Sequence, residues 1–231
     1  MKALIKCHFN YLINKATLYI LILVIFISVF TFIVNCTALD FSSDYQENNV
    51  LYFQSTFLTV KTISVFLSIF LVCNIFSAKN DQYYYLITFY VSRIKYFITK
   101  LMAVFILEII FVWMLSTAYQ FVGFIFYPKY LFMRNSLFGY LNLSLLMIFY
   151  GLAALLFYQL VNNSYIIIVV FSLYIFSMII NEENNDVTSF FNSLFLYLDE
   201  NGIFFFHWYY AIMLIFLLFA INLILYLSLD L

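Results

Sequence analysis

The chain has 231 residues, of which 67% are hydrophobic and 9% are charged, and its mean hydropathy is +1.04. A soluble domain of this length does not need so much apolar surface, whereas a membrane domain does, because its exterior contacts lipid as well as its own core. The composition therefore excludes a soluble globular protein and predicts an all-α, polytopic membrane protein. The net charge of -1 gives no indication of nucleic-acid binding, and the 4 Gly and 1 Pro favour long, mostly unbroken helices.

Residues 1–15 are predicted to form an interfacial helix. Their apolar residues are interrupted by Lys2, Lys6 and Lys15, so the segment is too polar to cross a membrane. The apolar positions can share one broad face of a helix that lies in the inner headgroup layer, with the lysines toward anionic lipid. The alternative is a frayed, basic N-terminal tail.

Six apolar segments reach or approach the length of about 20 residues that a helix needs to cross the hydrocarbon core. They are, roughly, residues 16–35, 55–77, 96–126, 138–160, 165–180 and 208–229. The sequence therefore predicts one transmembrane domain of six spans over residues 1–231.

The distribution of Lys and Arg predicts that both chain ends are cytoplasmic. With the N-terminus inside, most cations fall on the inner side: Lys2, Lys6, Lys15, Lys79, Arg93, Lys95 and Lys100. Only Lys129 and Arg134 lie in outer loops, and most acids also fall outside: Asp40, Asp44, Glu47, Glu182, Glu183, Asp186, Asp199 and Glu200. Because cytoplasmic loops carry an excess of Lys and Arg, we expect a multi-pass protein of the cell membrane with this orientation.

Two charged residues lie inside predicted spans, away from the inner rim where Lys100 falls. Lys61 is in the outer part of the second span, and Glu108 is near the middle of the third. A charge at this depth costs free energy unless it is paired or hydrated. Three alternatives remain open: an ion pair between the two residues, a polar translocation route lined by Glu108, or a Lys61 side chain that extends outward while Glu108 binds hydroxyl or backbone groups.

The cytoplasmic loop between the second and third spans, residues 78–95, has a polar start followed by an amphipathic stretch. Tyr83, Leu86, Ile87 and Tyr90 recur at helical spacing. This pattern predicts a helix that lies across the inner surface and presents aromatic side chains to a partner.

The outer loop between the fifth and sixth spans, residues 181–207, contains an apolar run over residues 187–198. A run of about 12 residues is too short to cross the membrane and too apolar to remain in water. We expect a short re-entrant helix in the outer leaflet that turns at Gly202. The alternative is an early start of the sixth span preceded by an apolar surface loop.

No catalytic or nucleotide-binding motif is found in the sequence. The glycines are isolated, so none forms a phosphate-binding loop. His8 and His207 lie on opposite predicted sides of the membrane and cannot share a metal ion. We therefore expect no enzymatic activity, no metal site and no cofactor bound by this chain.

The loop 78–95 resembles the coupling segment of the permease subunits of type-2 ABC exporters. In that family the coupling segment has a typical order. It begins with an acidic residue and Gly-Thr, continues with a hydrophobic run and Pro-Val-Ser-Arg, and ends with basic residues that lead into the third span. Here Val91-Ser92-Arg93, Lys95 and Lys100 match in residue and spacing, and Leu86-Ile87-Thr88 matches in character. Asp81-Gln82 and Tyr90 replace the usual Gly-Thr and Pro. The interfacial helix, the six spans and the re-entrant outer segment are also similar to this family.

The resemblance implies two permease copies, as a homodimer or a pseudo-dimer, with two separate ATP-binding subunits beneath them. ATP and Mg²⁺ would be bound by those subunits. The implied contact residues are Asp81, Gln82, Tyr83, Tyr84, Leu86, Ile87, Val91, Ser92, Arg93 and Lys95. The alternative for Tyr83, Tyr84 and Tyr85 is an aromatic belt that faces lipid headgroups.

The expected cargo follows from the few polar residues in the spans. Phe, Tyr, Asn, Ser and Thr would line a route, which suits an amphipathic or lipophilic cargo better than a free ion or a sugar chain. In this respect the chain is similar to the staphylococcal exporters of phenol-soluble modulins and to bacteriocin self-protection exporters. A drug or lipid exporter is the alternative within the family, and a channel or a non-transporting interaction or immunity protein is the alternative outside it.

Overall fold

The computed structural model describes residues 2–38, 45–77, 91–126, 134–163, 165–183, 196, 198, 202 and 208–228. This part of the chain contains α-helices and no β-strand, which confirms the predicted all-α class for it. The helices are α1 (Lys2–Leu12), α2 (Lys15–Ala38), α3 (Tyr45–Ile75), α4 (Arg93–Phe126), α5 (Arg134–Val161), α6 (Ile166–Glu183) and α7 (Trp208–Ser228).

Five of the described helices are long and apolar enough to cross a membrane, namely α2, α3, α4, α5 and α7. The chain therefore has the helical character of a polytopic membrane protein. The apolar part of α6, Ile166–Ile179, is shorter than the 18 residues that these five exceed. A sixth span over 165–180 thus stays a prediction.

Most of the described cations lie at one end of the bundle, which we call the basic end; Lys61 in the middle of α3 and Arg134 at the start of α5 are the exceptions. There the start of α2 meets the end of α3, since the Asn74 amide donates to Thr17 Oγ1 over 3.1 Å. The start of α4 meets the end of α7, with the rings of Phe97 and Tyr226 4.9 Å apart. Helices that pair first turn to last turn are antiparallel, so the chain alternates in direction through the bundle.

The opposite end is built around aromatic rings. Tyr52 near the start of α3 stacks on Tyr119 near the end of α4, with ring centroids 4.6 Å apart. Phe32 of α2 and Tyr140 of α5 contact the same Tyr119 ring at 5.6 and 5.9 Å. Rings at these separations stabilise a bundle beyond their buried area alone.

α3 is the most enclosed helix. Of its apolar stretch, 67% is buried within the bundle, against 22% for α2 and 17% for α7. α3 contacts α1, α2, α4, α5 and α6. Polar side chains on α3 are therefore shielded from lipid, whereas α2 and α7 expose most of their surface.

α1 is separated from α2 by a turn and packs at the basic end. Asn14 caps α2, because the backbone N–H of Thr17 donates to Asn14 Oδ1 over 2.8 Å. α1 packs on α4 and α3, and its His8 ring lies edge-on to Tyr96 of α4 at 5.0 Å. The chain thus changes direction between α1 and α2.

Candidate coupling face and buried polar sites

The described part of the predicted coupling segment is the start of α4. The other implied contact residues, Asp81, Gln82, Tyr83, Tyr84, Leu86 and Ile87, lie outside the described residues. Ser92 is the N-cap of α4, since its main-chain oxygen accepts from the N–H of Tyr96 over 3.0 Å and its Oγ accepts a longer bond, 3.4 Å, from that of Lys95. Val91 packs against the core, whereas Lys95 is exposed.

Both described ends of this segment lie at the basic end of the bundle. Phe76, directly after α3, and Phe97 in the first turns of α4 have ring centroids 5.7 Å apart. Lys6 of α1 and Lys15 at the start of α2 are exposed at the same end. The described residues on either side of this connection therefore lie beside exposed cations.

The side chain of Lys100 is buried just inside this surface, with 1% of it exposed. Its amine lies 4.8 Å from the centroid of Tyr96 and 4.9 Å from that of Phe76, a cation–π arrangement on two sides. Burial, and secondly the charge of Lys100, lower the pKa of His8 to about 4. His8 is thus a neutral imidazole at pH 7, and its Nε2 has no hydrogen-bond partner in the structure.

Lys61 is buried close to the middle of α3. It lies twelve positions after Asn49 and fourteen before Ile75, which are the two ends of the apolar stretch. Lys61 is this central because the helix begins ten residues before the predicted start of this span. The earlier start was not predicted since half of residues 45–54 are polar, most of them in the first turn and a half. The Lys61 amine donates to the main-chain oxygen of Leu198 over 2.7 Å.

Residues Leu196, Leu198 and Gly202, which precede α7, are buried against α3 and α5. The amide of Asn142 donates to the main-chain oxygen of Gly202 over 2.9 Å. Gly202 has a φ of 70°, and a Cβ there would overlap the Cα of Gly139. The predicted re-entrant run 187–198 lies outside the described residues except for Leu196 and Leu198, and these two lie inside the bundle.

Glu108 lies at a junction of three helices. Its Oε1 is 2.5 Å from Ser68 Oγ of α3, and the same Oγ is 2.6 Å from the main-chain oxygen of Met147 of α5. Gly151 makes room for this contact, because a Cβ there would be 2.8 Å from Ser68 Oγ. Glu108 is fully buried, and its Oε2 has no hydrogen-bond partner in the structure.

The structure gives Lys61 and Glu108 different partners. Lys61 binds the segment before α7, whereas Glu108 binds Ser68, seven residues or about 10 Å farther along α3. A hydroxyl partner for Glu108 is expected under the third alternative given above, in which Glu108 binds hydroxyl or backbone groups. The Lys61 side chain does not extend to the surface, since none of it is exposed.

Several polar residues that the structure places in the interior were not identified from the sequence. Ser64 and Ser68 are fully buried on α3, as is Lys61, which the sequence did identify. Their i, i+3, i+7 spacing places them on one helical face, which is the signal that could have identified them. Asn222 of α7 is another example, since its amide donates to the main-chain oxygen of Leu152 of α5 over 3.0 Å.

An apolar cavity of about 280 Å³ lies between α5, α6 and α7. Its walls include Phe149, Phe157, Val170, Leu214 and Leu218. In the part of the chain that the structure describes, no group of three or more His, Cys, Asp or Glu side chains could hold a metal ion.

Comparison with known protein families, with curated proteins and with solved structures finds no match to this chain.

Proposed function

We propose that the chain is the membrane permease subunit of a type-2 ABC exporter in the cell membrane. In this proposal α2 to α7 are six spans, and α6 is the fifth. The basic end faces the cytoplasm, so the N- and C-terminal sides of the bundle are both cytoplasmic. α1 lies in the inner headgroup layer with the exposed Lys6 toward lipid phosphates.

The observation that carries the proposal is the position of the connection between α3 and α4. α3 ends at Ile75 and α4 begins at Arg93, and both ends lie at the basic end beside α1. Under the positive-inside rule a connection placed there faces the cytoplasm. This supports residues 78–95 as the surface on which a separate ATP-binding subunit docks.

The contacts of α4 suggest how closure of the ATP-binding subunits would be transmitted to the membrane helices. Ser92 fixes the first turn of α4, and Tyr96 in the next turn packs against His8 of α1. A force on the segment 78–95 would therefore displace α1 and the start of α4 together. ATP and Mg²⁺, bound by the partner subunit, would bias the bundle between two packings.

The exposed helices leave room for the other expected partners. α2 and α7 bury only 22% and 17% of their apolar stretches within this chain, so membrane lipid or a second copy of the permease would cover the rest. The cavity between α5, α6 and α7 has apolar walls, which supports an amphipathic peptide as cargo. A drug or lipid exporter is the alternative that the same cavity favours.

The test is purification of the tagged chain from its native membrane in mild detergent, followed by mass spectrometry. We expect an ATP-binding subunit of the ABC type to co-purify. The combined change of Tyr83, Leu86 and Arg93 to Ala should abolish this while the chain stays folded.

A matched control changes Tyr209, Ile212 and Arg134 to Ala, which removes the same kinds of side chain at the opposite end of the bundle. Co-purification should survive these changes. Recovery of no ATP-binding subunit, or ion flux through the purified chain in the absence of nucleotide, would contradict the proposal and favour an interaction protein or a channel, respectively.

A further inference from the structure

Ser68 has one hydroxyl proton but two oxygen neighbours at short distance. Its Oγ is 2.5 Å from Glu108 Oε1 and 2.6 Å from the main-chain oxygen of Met147. If Glu108 were ionised, both neighbours would only accept hydrogen bonds, and one proton cannot serve both. In the remaining contact two oxygen atoms would face each other with no hydrogen between them. Such a short distance between oxygens is found only in a hydrogen bond.

A protonated Glu108 removes this conflict. Its O–H then donates to Ser68 Oγ, and the Ser68 O–H donates to the main-chain oxygen of Met147. Each short contact contains one hydrogen, and the three groups form a chain of donors from α4 through α3 to α5. Hydrogen counting therefore favours the carboxylic acid over the carboxylate.

The second carboxyl oxygen gives independent support. Oε2 of Glu108 is buried and has no hydrogen-bond partner in the structure. A carboxylate shares its charge between both oxygens and needs donors at each, and an uncompensated buried charge is strongly destabilising. The carbonyl oxygen of an acid can be left without a donor at much lower cost, because it carries no formal charge.

The nearest cations along the packed helices are occupied elsewhere. On α3, Lys61 precedes Ser68 by seven residues, about 10 Å, and donates to Leu198. On α4, Lys100 precedes Glu108 by eight residues, about 12 Å, and lies against aromatic rings.

The other helices around the junction add no charge. The apolar parts of α2, α5, α6 and α7 contain no Asp, Glu, Lys or Arg. The titratable residues nearest to the junction along α3 and α5 are Cys73 and Tyr150, and thiols and phenols are ordinarily neutral at pH 7. The surroundings of Glu108 therefore supply little that would stabilise an anion.

We propose that Glu108 is a proton-binding site, whose carboxyl group keeps its proton at neutral pH and links α3, α4 and α5 through Ser68. The ligand is the proton itself. When water enters the junction, the acid transfers its proton to that water, leaving the carboxylate and a hydronium ion. The protonation of Glu108 thus reports whether the junction is closed. This inference concerns the chain alone and does not depend on its being an exporter.

The test is infrared spectroscopy of the purified chain at pH 7, in a maltoside detergent that has no carbonyl group of its own. We expect a carboxylic-acid C=O band in the wild-type protein that shifts in D₂O and is lost in Glu108→Gln. The variant should fold, since the Gln amide also donates to Ser68. If Glu108→Gln instead lost carboxylate absorption and kept the acid band, the proposal would be overturned.

Two further variants make the assignment specific. Glu182→Gln, in the polar stretch at the end of α6, should remove carboxylate absorption and leave the acid band intact. Ser68→Ala should keep the acid band but move it to higher frequency, because the acid loses its acceptor. An unmoved band would contradict the contact with Ser68. If Glu108→Gln failed to fold, the frequency shift in Ser68→Ala would serve as the test. Absence of any acid band from the wild-type protein would refute the proposal.

Discussion

The two ends of the bundle are held by different kinds of contact. At the basic end, a long side chain bridges the helices: the Lys100 amine lies between the rings of Phe76 and Tyr96. At the opposite end, backbone is bound directly, since Asn142 donates to the main-chain oxygen of Gly202. A long side chain can change rotamer while its helix moves, whereas backbone packed against backbone has little freedom to shift. We therefore expect the helices to tolerate displacement better at the basic end than at the opposite end.

The largest expected effect is at the rigid end. In Gly202→Ala the new methyl group would overlap the Cα of Gly139, and Gly202 also has a positive φ of 70°. Overpacking and backbone strain together predict a loss of about 3 kcal/mol in the free energy of unfolding. Denaturant titration of the protein in lipid bicelles would measure it. Ala220→Val, at an exposed position on α7, is the control and should be nearly neutral.

Removal of the Lys61 amine should release the buried segment that precedes α7. A hydrogen bond from a charged donor contributes about 1.5–3 kcal/mol, so the segment should open roughly ten- to a hundredfold more often in Lys61→Met. The readout is maleimide labelling of a cysteine introduced by Leu196→Cys, at a site now 3% exposed. Lys61→Arg keeps a donor and should label slowly. Equal rates in all backgrounds would show that Lys61 does not hold the segment.

At the basic end, acid should loosen α1. The folded state holds the pKa of His8 at about 4, below its ordinary value of 6.5. The unfolded or undocked state therefore binds more protons between these values, and docking weakens as the pH falls from about 6.5 to about 4. A spin label on the exposed Cys7, in a background without Cys36 and Cys73, should become more mobile over that range. His8→Phe should abolish the pH dependence, and an unchanged profile in that variant would exclude His8 as its origin.

The smallest expected effect is at the turn between α1 and α2. Asn14→Ala removes the acceptor for the N–H of Thr17 and should lower the free energy of unfolding by about 1 kcal/mol. Asn10→Ala, at an exposed position on α1, is the matched control with no expected loss. Equal stabilities of the two variants would show that the cap is not needed once the helices are packed.

Long apolar segments were predictable from the sequence because crossing a bilayer requires a fixed length of apolar helix. Five of the six predicted segments correspond to helices that are long enough. The start of α3 at Tyr45 was not predictable from hydropathy, since polar residues such as Gln46 and Asn48 precede the apolar stretch. Their presence in the helix moves Lys61 nearer to its middle than the sequence indicated.

The polar contacts were less predictable than the helices. That Lys61 and Glu108 needed partners follows from the cost of a charge in hydrocarbon, and both have them. Which partners they have depends on how far apart two antiparallel helices place each residue, and this register is not encoded in local periodicity. Leu198 could not have been identified, because its main-chain oxygen accepts the bond and any residue type can supply that atom.

The length of α4 has a consequence for the surrounding lipid. Its 34 residues make a rod of about 50 Å, well beyond a hydrocarbon core of about 30 Å. Even a tilt of about 40°, the upper end of the range for membrane helices, leaves a projection of about 39 Å, so part of the helix must protrude. Thicker bilayers would cover more of this protrusion and thinner ones less. The depth of Lys100 is therefore sensitive to acyl-chain length, and reconstitution in short- and long-chain lipids should shift how firmly α1 is held.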